Sequence, residues 1–329
     1  MNAHLINLAS ARLGARAVDA TDDFFADKSR LLSDAEPVFV PGRYDDNGKW
    51  MDGWESRRRR GRGHDHCTVK LACVGSIEQV EIDTRHFTGN YAPAASLEAC
   101  LSDEESPGDD AGWQEIAPVT SLAGDERRTV AISAQGTWSH VRLHIYPDGG
   151  VARLRIHGRP RLDAAAVAER EIDLAASLNG ALAMACNDEH FGSMQNLLAP
   201  GRGVDMGDGW ETRRRREPGY DWVIVRLAHT GSVSRIEVDT AHFKGNYPDR
   251  CSIQAACVAR PDPVSIAAQS LYWPTLLPEQ ALTGDRVHEF RGEIRDCGPV
   301  NCIRLNIIPD GGVSRLRVFG RLFDLPVDD

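Results

Sequence analysis

Lysine is nearly absent from this chain, as are paired cysteines, a basic leader and any long apolar run. Only four of the 38 basic residues are lysine, so a single arginine carries less meaning than usual. The eight cysteines are scattered with no C-x-x-C pair, and read as reduced thiols, several of them in strands. The first twenty residues lack the basic and apolar regions of a secretory signal, so a cytoplasmic location is expected. No stretch approaches the ~20 apolar residues of a membrane-spanning helix. P-loop, dinucleotide fingerprint and nucleophile elbow are all missing, so no covalent intermediate is indicated. A net charge of -10 disfavours nucleic acid or an anionic membrane as partner.

What is present is a repeat. Residues 52–91 (DGWESRRRR…EIDTRHFTGNY) match 208–247 (DGWETRRRR…EVDTAHFKGNY) without a gap. RLHIYPDGGVARLRIHGR at 142–159 matches RLNIIPDGGVSRLRVFGR at 304–321. A weaker pair, 22–32 against 188–198, opens each copy. The repeated unit is too long for a solenoid, so a duplicated domain is expected: 1–160, a linker over 161–172, and 173–329. The Ala- and charge-rich linker suits a short helix or an exposed connection, and is read as the latter. Within each copy, Val80 and Ile82 alternate with Glu81 and Asp83, and Val141, Leu143 and Ile145 alternate with Arg142 and His144, as half-buried strands do. P-D-G-G turns separate strands, and no long amphipathic helix is evident. The expectation is an all-β antiparallel sandwich or jelly roll.

Four blocks carry chemistry. In the D-G-W-E-[ST]-R-R-R-R block, Arg57, Arg58 and Arg59, with Arg213, Arg214 and Arg215, offer planar forks that suit a small carboxylate. Ion pairing inside the sandwich explains any one of them as well. In [ED]-x-D-T-x-H-F-x-G-N-Y, His86 and His242 follow Asp83 and Asp239 into a loop, where they could move protons or brace the loop. His64-Asp65-His66-Cys67 has metal-ligand residue types, but two histidines with no third ligand are weak grounds for zinc, and the second copy keeps only Asp221. Arg153 and Arg315, just past the P-D-G-G turns, read as structural.

Together these blocks resemble the repeat of the allantoicase family over nearly the whole chain. The resemblance implies two tandem jelly-roll β-sandwich domains of galactose-binding-like type, and hydrolysis of allantoate to ureidoglycolate and urea. It also implies allantoate as partner, a homo-oligomer and no cofactor, with a divalent metal left open. Allantoate carries one carboxylate and two ureido groups. Arginines of the RRRR block would hold the carboxylate, and Glu55 and Glu211 or Asn90 and Asn246 would read the ureido edge. His86 with Asp83, and His242 with Asp239, would handle protons. The rival is a non-catalytic tandem carbohydrate-binding protein, for which Trp54 and Trp210 would have to be exposed platforms.

Overall fold

One strand of 19 residues, Asp65–Asp83, organises the first half of the chain in the computed structural model, which describes residues 5–323. Its first half pairs with Arg16–Ala20 on one side and Trp138–Tyr146 on the other. Trp138–Tyr146 then pairs with Ala94–Cys100, and that with Gln114–Ser121. The second half of the long strand pairs instead with Arg153–Pro160 and Arg127–Ala131, and Ile6–Asn7 adds to Arg153–Pro160. These strand pairings are antiparallel, and because the partners change along its length the long strand passes from one layer of a sandwich to the other. Gly75 sits at the change, where a Cβ would lie 2.6 Å from the carbonyl oxygen of Arg159; Gly231 does the same against Arg321 at 2.7 Å.

The second half repeats this arrangement around Asp221–Asp239. The chain divides into two compact units, residues 1–161 and 162–329. The all-β, two-sandwich architecture read from the repeats is therefore present. The stretch between the repeats is not wholly irregular: Ala164–Val167 forms one helical turn, capped by Asp163, whose Oδ1 accepts from the Ala166 amide at 3.1 Å. Among the described residues no helix is long and apolar enough to cross a membrane.

Alternation builds each core. In the first unit Cys67, Val69, Val80 and Ile82 meet Val141, Leu143, Ile145, Leu154 and Ile156. Each fully buried aliphatic side chain of this kind contributes roughly 1.5–3 kcal/mol. The half-buried strand expected at 141–145 proves buried on both faces. His140, Arg142 and His144 on its polar side are also covered, the first two by the segment before Gln114 and His144 by His64 and Glu98. Arg142 pairs there with Asp109 at 2.8 Å and stacks 4.3 Å from the Trp113 ring centroid. In the second unit the same face becomes a small apolar cluster of Leu182, Met184, Ile224 and Cys302 under Ile266 of the helix Ile266–Ser270.

Arg153 and Arg315 are structural, as the turn geometry suggests: both are buried, and they pair with Asp52 and Asp208 at 2.8 and 2.7 Å. The eight cysteines are free thiols.

Candidate functional site

Each unit carries a cavity where three repeated segments meet. The two-residue strand Trp54–Glu55 pairs with Gly150–Val151 on one side and bridges Ala26 on the other, so the backbone of Glu55 is held from both flanks. Trp210–Glu211 is held likewise by Gly312–Val313 and Gly192. The P-D-G turn supplies the adjoining wall. Asp148 accepts from the Arg59 amide at 2.8 Å, and Gly149 donates to Ser56 Oγ at 3.3 Å. Asp310 and Gly311 repeat both contacts with Arg215 and Thr212, at 2.9 and 3.1 Å. Gly149 has φ +136°, and a Cβ on it would lie 2.7 Å from the Tyr91 backbone, so only glycine lets the turn press against the H-F-x-G-N-Y loop.

That contact delivers the asparagine. Gly150 donates to the Asn90 carbonyl at 2.7 Å, and Asn90 Nδ2 donates to Glu55 Oε1 at 2.7 Å. Asn246 Nδ2 reaches Glu211 Oε1 at 2.5 Å in the second unit. Glu55 is 9% exposed, and burial raises its pKa above the ordinary carboxylate value despite the opposing Asn90 bond. The first cavity, of about 380 Å³, is lined by Glu55, Ser56, Arg58, Asn90, Tyr91 and Phe25 besides the turn. The second, of about 780 Å³, is lined by Glu211, Arg214, Asn246, Tyr247, Phe191 and Lys244 among others.

The structure sorts the arginine block. Arg57 and Arg213 pair with Asp22 and Asp188. Arg59 and Arg215 pair with Asp65 and Asp221. Among the described residues Arg58 and Arg214 have no ion pair, and both are exposed at their cavities. Of three arginines per copy expected on a carboxylate, the middle one alone is left available, because the alternating neighbours are turned to acidic partners in the sandwich.

Glu55, Arg58 and Asn90 are thus brought together, as are Glu211, Arg214 and Asn246, whereas the histidine–aspartate pairs are not. His86 takes φ +70°; its amide donates to Asp125 at 2.9 Å, and its Nε2 lies 3.0 Å from the Pro37 carbonyl. His242 repeats this with Asp285 and Gly203, both at 2.8 Å. Asp83 is fully buried and bonds Arg85, while Asp239 accepts from the Ala241 amide at 2.8 Å. These four residues brace the loop that carries the asparagine and do not line the cavities. Alanine at His86 is expected to lower the unfolding midpoint by a few degrees, roughly 1 kcal/mol for one lost bond, and to leave kcat within about threefold. A loss of kcat with the midpoint unchanged would restore the histidine to proton transfer.

The His64 cluster is likewise internally paired. His64 Nε2 lies 2.9 Å from His144 Nδ1, and His144 Nε2 lies 3.1 Å from Glu98. Cys67 points into the core. Among the described residues no group of three or more His, Cys, Asp or Glu is placed to hold a metal. Phe25 and Phe191 as cavity walls were not singled out from sequence; the weak opening pair of the repeat, which aligns them, is the signal that marks them.

The family model of the allantoicase repeat matches residues 6–161 and 172–323. The chain belongs to the allantoicase family. It is 56% identical to "Probable allantoicase 2" of Burkholderia pseudomallei, over 96% of this chain and 95% of that protein. It is 56% identical to "Probable allantoicase" of Stutzerimonas stutzeri, with 96% of both chains covered. The crystal structure of the Saccharomyces cerevisiae allantoicase is 35% identical with a TM-score of 0.79, covering 96% of this chain and 93% of that one. Both cavities of this allantoicase-family chain lie within the matched segments.

Proposed function

We propose that the protein hydrolyses allantoate to ureidoglycolate and urea. The observation that carries the reading is a glutamate bonded to an asparagine at a cavity that also holds an arginine without an ion pair, a trio repeated in both units, with the carboxylate buried in the first. The guanidinium of Arg58 or Arg214 suits the substrate carboxylate bidentately. Asn90 or Asn246 spends an N–H on the glutamate and keeps its carbonyl for ureido N–H groups.

Proton transfer falls to the glutamate rather than to His86. Burial raises the pKa of Glu55, and a carboxyl group raised in this way can give its proton to the leaving ureido nitrogen as the C–N bond breaks and the electron pair goes to nitrogen. The resulting carboxylate then takes a proton from the water that adds to the same carbon. One water is consumed, one urea leaves, and the glutamate returns to its starting state. A sugar-binding role is disfavoured, because Trp54 and Trp210 are fully buried and donate to the Asp22 and Asp188 carbonyls at 2.8 Å.

The test is to incubate the purified protein with allantoate, with and without a chelator, and quantify both products. Equimolar urea and ureidoglycolate is the expected result. A folded protein that releases neither across neutral pH would end the reading for this substrate.

A further inference from the structure

The two cavities share their glutamate, asparagine and arginine but differ in how they are enclosed. Leu32 and Trp54 are 22 positions apart, whereas their counterparts Leu198 and Trp210 are 12 apart, so the first unit carries ten more residues here. These form a hairpin, Tyr44–Asp45 against Gly48–Lys49, with no counterpart among the described residues of the second unit. It is anchored where Trp50 stacks with the guanidinium of Arg43, 4.0 Å from the ring centroid. Gly48 faces the ring of Phe25, to which a Cβ would come within 3.8 Å, so the hairpin backs the aromatic wall of the first cavity.

The same inserted segment also touches the asparagine loop. The carbonyls of Pro37 and Gly203 bind the His86 and His242 rings alike, but in the first unit Phe39 stacks on the His86 ring as well, at 6.2 Å between centroids. Without the hairpin, Phe191 of the second unit is 62% exposed, the cavity is about twice as large, and Glu211 is only partly buried. The rim differs too: Lys244 and Asp249 stand where the first copy has Thr88 and Pro93.

We propose that turnover resides in the first unit's cavity, that the hairpin over residues 39–50 is the positioning element that encloses it, and that the open second cavity binds the substrate class without efficient turnover. The inference rests on the allantoate reading. Its physical basis is that a carboxyl group sheltered from water stays protonated more readily and acts on its substrate with less screening. Lys49 is the hairpin's charged link to the site: its charge opposes the effect of burial on Glu55, whereas the lysine of the second cavity, Lys244, stands on the asparagine loop instead.

The experiment compares kcat for urea release from allantoate in Glu55→Gln and Glu211→Gln, with folding checked by circular dichroism. Glu55→Gln is expected to lose at least about 100-fold, the range of a general acid, and Glu211→Gln less than about fivefold. Equal losses, or the reverse order, overturn the proposal. Lys49→Met, on an exposed side chain, gives a second readout. The upper limb of the kcat–pH profile should move to higher pH, because Glu55 then holds its proton more tightly; an unmoved limb places turnover elsewhere. Wild-type protein that is folded but releases no urea defeats the allantoate reading itself, and this inference with it, whereas an active wild type with equal losses defeats only the division between cavities.

Discussion

Replacing Arg153 by alanine is expected to destabilise the first unit by about 3–5 kcal/mol, the cost of leaving buried partners without their cation. The side chain is 1% exposed. Its Nε donates to the Ala35 carbonyl at 2.9 Å, Nη1 to the carbonyls of Asp52 and Ala152 at 2.9 and 2.7 Å, and Nη2 to the Asp52 carboxylate at 2.8 Å. Alanine strips all of these acceptors at once and leaves a cavity besides. The residues released are those at the base of the inserted hairpin, so substrate turnover should fall along with stability. Denaturant unfolding at constant pH reads the effect, with Arg153→Met separating lost packing from lost charge. Arg315→Ala should act alike on the second unit, where the guanidinium binds the Asp208 carboxylate at 2.7 Å. A shift below about 1 kcal/mol, the scale of an exposed ion pair, would show that these arginines are not the anchors described.

Lowering the pH from about 7.5 to about 5 should unfold the first unit before the second, across the range in which unperturbed histidine titrates. Burial holds His66, His140, His144 and His157 below the ordinary histidine pKa of 6.5. Arg142 reinforces this at His66 and His144, Lys70 at His140, and Arg155 at His157. Asp19 and Asp109 oppose it at His66, Glu98 at His144, Glu105 at His140 and Glu81 at His157. His64 also faces His144. A histidine kept neutral by the fold is protonated first in the unfolded chain. Its contribution to stability is therefore complete above the ordinary pKa, and is lost as pH falls from there to the lowered folded value. The second unit has Trp222, Cys302, Asn306 and Phe319 at the matching positions, none of which gains charge in that window. Each tenfold difference in proton affinity is ~1.4 kcal/mol, so calorimetry should show a first-unit transition falling by roughly 5–10 °C and pulling away from the other. Transitions that fall together would count against a histidine origin, as would a His66→Trp variant with the full acid sensitivity of the parent.

Much of this is legible in the sequence itself. The offset between copies gave the duplication, and period-two alternation placed Val141, Leu143 and Ile145 in the core correctly. Glu55, Asn90 and the middle arginine stand among the residues the motifs singled out, because chemistry-bearing side chains repeated in two copies are hard to miss. Three things were hidden. Local alternation cannot show that distant segments will cover the polar face, as Asp109 and Trp113 cover Arg142 and His64 covers His144. Nor can spacing show that Asp22, 35 residues away, claims Arg57, or that the chain turns Arg59 back onto Asp65. The pairing of His86 with Asp83 looked plausible because they are three residues apart, but the left-handed backbone at His86 turns the ring toward Pro37.

The strand that belongs to both layers has a consequence for how the duplicated chain behaves as a whole. A sandwich whose sheets share a strand cannot shed one sheet and keep the other, since a one-residue slip at Gly75 would turn both apolar faces outward together. Amide protons along Asp65–Asp83 should exchange only when the entire unit opens, and those along Asp221–Asp239 only when its counterpart does. Each half is then an all-or-none block with its own tolerance for change. A hairpin could be gained beside one cavity, and a lysine beside the other, without either alteration being felt in the register of the opposite copy.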